Sequence, residues 1–128
     1  MGARTGRLLA RGGVVAAMAA LAGLAGCGRG AERAGDALTL TTVTAVSDIL
    51  TNPASFAGRT VRIEGEISRE CPSGCWFDVT QGGATVYVDI APAGLAIPQR
   101  VGRTVAVEGT VSVEDGQVRF LGKGVEIR

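Results

Sequence analysis

Residues 102–113 read GRTVAVEGTVSV, and their alternation of apolar and polar side chains predicts a β-strand over residues 104–113. Successive side chains of a strand point to opposite faces of the sheet. One face would carry Val105, Val107, Val111 and Val113, and the other would carry Glu108, Thr110 and Ser112. The Glu-Asp-Gly sequence at residues 114–116 then predicts a tight hairpin into the next strand.

The same pattern occurs in four other segments, at residues 60–68, 76–80, 84–90 and 117–121. Residues 125–127 would extend the last of these after a glycine-flanked bulge at 122–124. A longer connection, residues 91–99, with two prolines and room for one helical turn, separates the third and fourth strands. Before the first strand, Ser47-Asp48 could cap a short helix that Asn52-Pro53 would end. Five short strands in so small a chain predict an all-β fold, a five-stranded OB-fold-like barrel with one short helix before the first strand.

Two glycines on the inward side of these strands, Gly65 and Gly109, are typical of strands that bend sharply around a small barrel. Closure would also protect the strand edges of a domain with little apolar mass.

The N-terminus has the pattern of a secretory signal. Arg4, Arg7 and Arg11 precede a short apolar run that ends at Leu24-Ala25-Gly26-Cys27. This ending resembles the lipobox of bacterial lipoproteins, which implies lipidation of Cys27 and cleavage before it. The expected organisation is a signal peptide at residues 1–26, a lipidated tether at 27–44 and the barrel domain at 45–128.

Loss of the signal would change the charge balance. Removing three arginines leaves 10 of the 13 basic residues against 12 acidic ones. A chain with a net negative charge is a poor candidate for sequence-independent binding of nucleic acid or of an anionic membrane surface.

The barrel segment resembles a family of extracytoplasmic OB-fold domains with a Gly-Cys-Trp signature and no settled activity. The resemblance rests on a repeated glycine–valine pattern and on the signature between the first two strands: Gly58, Val61, Ile63 and Gly65; Gly74, Cys75 and Trp76; Gly102, Val105, Val107 and Gly109. It implies a fold and a compartment, the periplasm or the cell exterior, and no particular reaction.

Candidate chemistry is limited by the absence of histidine from the sequence, which excludes a Ser-His or Cys-His relay. Asp78 and Asp89 fall on the outer face of the second and third strands, where solvated strand residues are the ordinary interpretation. We therefore expect no enzyme. Trp76 and Tyr87 share that outer face and make it the candidate binding face. Aromatic rings there would stack bases, but the two acids would repel phosphates, so a protein, peptide or glycan ligand is favoured over single-stranded nucleic acid.

Cys71 and Cys75 flank a three-residue Pro-Ser-Gly turn and leave three interpretations open. The favoured one is a disulfide, because the compartment is oxidising and lipidation of Cys27 leaves an even number of cysteines. A copper(I) site on two thiolates is the sharper alternative, and a thiol-redox pair is the third. No cofactor is expected apart from that copper alternative.

These patterns together predict a lipid-anchored binding or interaction module that faces the periplasm or cell exterior. Replacing Cys27 with serine should release the protein from the membrane fraction and abolish incorporation of labelled fatty acid, since the thioether needs the sulfur atom. The domain should stay folded. Cell fractionation and metabolic labelling measure both effects; a serine variant that still sediments with membranes after a salt wash would place the anchor elsewhere.

Overall fold

The computed structural model describes Gly2 and residues 31–128. The predicted signal peptide and Cys27 therefore lie outside the described residues, and their assignments stay predictions. No helix in the described part of the chain is long and apolar enough to cross a bilayer.

The described chain consists mainly of strands. In order, the elements are β1 Glu32–Gly35, α1 Val46–Thr51, α2 Pro53–Phe56, β2 Thr60–Glu70, β3 Trp76–Gln81, β4 Ala84–Asp89, a 3-10 turn Ala91–Ala93, β5 Thr104–Glu114 and β6 Gln117–Ile127. The five predicted strands and the helical turn in the long connection are confirmed.

The strands form one sheet in the order β1-β6-β4-β3-β2-β5, and an additional β5–β6 pairing closes strands β2 to β6 into a barrel. Among the described strands, β4 and β6 pair in parallel and the other pairs are antiparallel. An isolated parallel bridge also joins Val43 to Arg62. The predicted five-stranded OB-fold-like barrel is confirmed, with β1 added outside it.

Apolar side chains of the barrel strands form the core. Most are at most 6% exposed, including Ile63, Val88, Val107 and Phe120, while Val113 packs half-buried at the edge. The mid-strand glycines allow the strands to approach one another closely. A Cβ on Gly65 would lie 2.5 Å from the Thr80 carbonyl oxygen, and one on Gly109 would collide with the carbonyl oxygen of Leu121.

The predicted bulge near the end of the last strand is present. Glu108 pairs with Gly124 and the next residue of β5, Gly109, pairs with Gly122, which leaves Lys123 as the extra residue. The bulge lets β6 turn, so that its first half pairs with β4 and its second half with β1.

Within the predicted tether, residues 27–44, the structure places a strand, β1. β1 pairs with β6, and Glu32 accepts two 2.7 Å hydrogen bonds from the guanidinium of Arg100. The polar sequence of β1 gives no signal for this pairing, because its partner residues lie 89 to 95 positions away.

Residues 36–44, here called the N-terminal arm, lie along the outer side of β5 and β2. The carboxylate of Glu108 accepts hydrogen bonds from Thr39 Oγ1 at 3.3 Å and from the Leu40 N–H at 3.1 Å. Arg62 Nη1 donates to the Leu40 carbonyl at 2.9 Å. Glu108 points away from the core as predicted, but it is only 8% exposed because the arm covers it.

The structure has two short helices where the sequence predicts one. Asn52-Pro53 ends α1, but Pro53 also starts α2, since proline fits the first turn of a helix. Neither Ser47 nor Asp48 caps α1. The Val46 N–H instead donates to the side chain of Gln81 at 3.0 Å, and Gln81 also donates to the Glu64 carbonyl.

Replacing Val107 with aspartate should unfold the domain, because an unpaired carboxylate in the core costs several kcal/mol, comparable with the stability of a small domain. Glu108→Ala should leave the barrel folded but lower its free energy of unfolding by about 1–3 kcal/mol, since the Leu40 N–H loses its partner. Glu66→Ala, at an exposed position of β2, is the control and should change little. Urea titration monitored by circular dichroism measures all three; equal stability of the two β5 variants would show the strand register to be wrong.

Candidate functional site

The β3–β4 register brings the four predicted face residues together. Trp76 pairs with Asp89, and Asp78 pairs with Tyr87. The two rings sit on neighbouring strands with their centroids 5.3 Å apart at an interplanar angle of 32°. We call the surface formed by Arg69, Trp76, Asp78, Tyr87, Asp89 and Arg119 the aromatic face.

Arg69 covers one side of this face. Its guanidinium carbon lies 5.0 Å from the centre of the Trp76 ring, and its Nε donates to Asp78 Oδ2 at 2.8 Å. Strict alternation would turn Arg69 towards the core. A register shift between Ile67 and Arg69 turns it outward instead, opposite Asp78.

Arg119 lies on the other side. It pairs with Tyr87 across the parallel β4–β6 contact, and its Nη1 is 3.8 Å from Asp89 Oδ2. Asp89 Oδ1 also accepts the Ala91 N–H at 3.1 Å, which fixes the carboxylate at the start of the 3-10 turn.

The two aspartates are therefore not the solvated side chains that alternation predicts. The side chain of Asp78 is 13% exposed and that of Asp89 is 15% exposed, and each contacts an arginine. Burial and then the charge of Asp89 raise the pKa of Tyr87, so its phenol stays neutral at physiological pH. The face is close to electrically neutral and carries a half-buried aromatic pair.

An open cavity of about 560 Å³ adjoins the face where Tyr87 meets the β5–β6 hairpin. Its remaining lining residues are Glu114, Asp115, Gln117, Val118 and Arg119. The hairpin is tight because Asp115 and Gly116 both have positive φ, 51° and 74°, as a two-residue type I′ turn needs. The side-chain carboxylates of Glu114 and Asp115 are exposed to solvent at the mouth of the cavity.

The turn with both cysteines borders the opposite end of the face. Cys71 follows β2 directly and Cys75 precedes Trp76, and their sulfur atoms are 3.3 Å apart, with both residues present as thiols. Ser73 Oγ lies 3.0 Å from the Cys71 sulfur and 3.4 Å from that of Cys75. Gly74 takes a left-handed conformation, φ 73°, and a Cβ there would collide with the Ile97 carbonyl oxygen.

Hydrogen bonds from Ser73 and then from Cys75 lower the pKa of the Cys71 thiol to about 7. No group of three or more potential metal ligands occurs among residues 31–128, so copper at this turn would have the two sulfurs alone from this set. The turn brings the two sulfur atoms within reach of one another.

Sequence reasoning missed Arg69 and Arg119. A signal for Arg69 exists: a charged residue at an inward position near a strand end indicates a bulge. Arg119 had no comparable signal, because its place beside Tyr87 depends on a parallel pairing between strands about 30 residues apart.

Comparisons with known proteins bear on the fold. No family model matches the chain, and no curated protein is similar enough to give it a relative. Among solved structures, the chain is similar to the hypothetical protein ygiW from E. coli, with 19% sequence identity and a TM-score of 0.55 over 74% of this chain and 99% of that one. A putative aspartyl-tRNA synthetase from Leishmania major Friedlin matches 73% of this chain but only 23% of its own, at 16% identity and a TM-score of 0.49.

The likeness to ygiW shows the OB-fold-like barrel. The synthetase match is too distant to carry an argument about nucleic acid. Function has to be argued from the site itself.

We expect Cys71 and Cys75 to form a disulfide in the protein taken from cells without reductant. Replacing both with serine should lower the melting temperature by about 5 °C without unfolding the barrel, because so short a loop loses little entropy on closure. Mass spectrometry after alkylation without reduction, and thermal melting of both proteins, check these outcomes. Two alkylated thiols in the isolated protein, or copper lost on alkylation, would contradict the disulfide.

Proposed function

We propose that this protein is a lipid-anchored extracytoplasmic binding module that holds a peptide or protein segment on its aromatic face. The observation that carries the proposal is the Trp76–Tyr87 pair, set between two arginines and beside the open cavity. Aromatic side chains supply large contact areas at low entropic cost, which is why they dominate binding hot spots.

The position of this face supports a binding role. OB folds bind ligands on their second and third barrel strands and on the loops that join strands one to two and four to five. The corresponding elements here are β3, β4, the cysteine turn and the Asp115-Gly116 hairpin. All four border the aromatic face.

The charges favour a ligand with a basic side chain. Among the described residues, neither Glu114 nor Asp115 forms an ion pair, and both are exposed at the cavity mouth. Arg69 and Arg119 are already engaged with aspartates. A phosphate backbone would therefore meet two uncompensated carboxylates, whereas a lysine or arginine would gain an ion pair beside the Tyr87 ring.

The anchor would place the domain close to the bilayer. Only four residues separate Cys27 from β1, and five residue steps of extended chain span at most about 17 Å. A short spacer suits a module that binds a partner at the membrane surface. It also limits the distance from the bilayer at which the domain can bind that partner.

Binding is tested by titrating the fluorescence of Trp76, the sole tryptophan, with a synthetic Lys-Phe repeat peptide. We expect saturable quenching, and Tyr87→Ala should weaken the affinity for the peptide by about fivefold or more, since a stacked aromatic contact contributes about 1–3 kcal/mol. Glu114→Gln with Asp115→Asn should weaken binding of this peptide and should not weaken binding of a Glu-Phe peptide.

Thr85→Ala, at an exposed position of the same strand, is the matched control and should bind like the unmodified chain. Equal affinity of the Tyr87 and Thr85 variants would show that the peptide binds elsewhere. Tighter binding of single-stranded oligothymidine than of the basic peptide would replace the peptide proposal with nucleic-acid binding.

A further inference from the structure

We propose that Cys71 and Cys75 form a reversible dithiol–disulfide couple that exchanges with disulfides of other molecules, with Cys71 as the attacking residue and Cys75 as the resolving residue. This activity goes beyond ligand binding and depends on the cysteine turn alone. Its substrate class is an accessible disulfide, in a peptide or in a small molecule.

The geometry suits attack from outside followed by internal closure. Both cysteines are partly exposed, and the resolving sulfur is 3.3 Å from the attacking one. Closing the bond needs the sulfur atoms to approach by little more than 1 Å, because a disulfide is about 2.05 Å long. Side-chain rotation supplies this without movement of the strands.

The turn holds both cysteines in place through its backbone. The Cys71 N–H donates to the Trp76 carbonyl at 3.0 Å, and the Gly74 N–H donates to the Cys71 carbonyl at 2.8 Å. The Ile90 N–H donates to the Cys75 carbonyl at 3.1 Å.

The connection between β4 and β5 supports the turn from the other side. The Ile97 N–H donates to the Gly74 carbonyl at 3.0 Å, and Gln99 Nε2 donates to the Cys71 carbonyl at 2.9 Å. Because separate elements fix its backbone, the turn keeps the two cysteines close together in both the dithiol and the disulfide state.

Local hydrogen bonds prepare Cys71 as the nucleophile. The Ser73 hydroxyl oxygen lies 3.0 Å from the Cys71 sulfur and the Cys75 thiol lies 3.3 Å from it, and these hydrogen bonds lower the pKa of Cys71 to about 7. Cys71 therefore carries more thiolate at neutral pH than an ordinary cysteine. A thiol with a pKa near the ambient pH reacts fastest in exchange, because it combines a large thiolate fraction with good nucleophilicity.

The exchange balances in two steps. The Cys71 thiolate attacks one sulfur of the substrate disulfide, forms a mixed disulfide and releases the first substrate thiolate. Cys75 loses its proton and attacks the Cys71 sulfur, which forms the internal disulfide and releases the second substrate thiolate. The substrate disulfide gains two electrons and the protein dithiol loses two; the reverse reaction, driven by external thiols, regenerates the dithiol.

The test uses 5,5′-dithiobis(2-nitrobenzoate) on the full chain carrying Cys27→Ser, so that only Cys71 and Cys75 can react. The reduced protein should release two equivalents of the coloured thiolate and retain no probe, because Cys75 resolves the mixed disulfide. With Cys75→Ser added, one equivalent should be released and the probe should stay attached to Cys71. Mass spectrometry distinguishes the two products.

Ser73→Ala should slow the first step at pH 7 by roughly threefold to tenfold and shift its pH profile upward, since the thiolate loses its nearest donor. Ser55→Ala, an exposed serine of α2, is the control and should leave the rate and profile unchanged. Retention of probe on both cysteines of the reduced protein, or identical pH profiles for the two serine variants, would overturn the proposal. A Tyr87→Ala protein that exchanges normally but binds the peptide more weakly separates this result from that of the aromatic face.

Discussion

β6 is the strand through which the barrel closes. It pairs with β5 along its full length, with β4 in parallel through residues 119–121 and with β1 through the last four pairs of its C-terminal end. A single strand can pair with three others only if it changes direction. The bulge at Lys123 and the close contact between Gly109 and the Leu121 carbonyl allow this change. The aromatic face depends on it, because β6 carries Arg119 to Tyr87 and supports the hairpin that borders the cavity.

The N-terminal arm and β1 extend the domain towards its proposed anchor. Glu108, Arg62 and Arg100 each use a charged group to hold backbone or side chains of residues 32–40. These bonds hold residues 32–40 of the predicted tether against the barrel, and four residues separate Cys27 from β1. A lipid at Cys27 would therefore control the distance of the binding face from the membrane much more closely than a long tether would.

The aromatic face and the cysteine turn share a boundary at Trp76. The Trp76 carbonyl accepts the Cys71 N–H while the ring contacts Arg69 and Tyr87. A change of redox state in the turn would thus occur one residue away from the proposed ligand contact. The two proposed activities lie on adjacent elements of this small domain, and separate variants can test each of them.

Much of the fold follows from local patterns. Alternation in residues 60–68, 84–90 and 104–113, together with turn residues at 74 and 116, determines which side chains face the core and where the chain reverses. The same parity places Trp76 and Tyr87 on one face, because side-chain direction within a strand is a local property of the backbone.

Only the tertiary structure decided what lies beside those residues. Arg69 faces outward because of a bulge, Arg119 reaches Tyr87 through a parallel pairing, and the arm covers Glu108 through contacts with residues almost 70 positions away in sequence. Each of these depends on register between distant strands, which composition and periodicity do not encode. The sequence by itself therefore determined the barrel, its inward face and the two candidate sites, whereas the charge balance and exposure of those sites were set by long-range pairing.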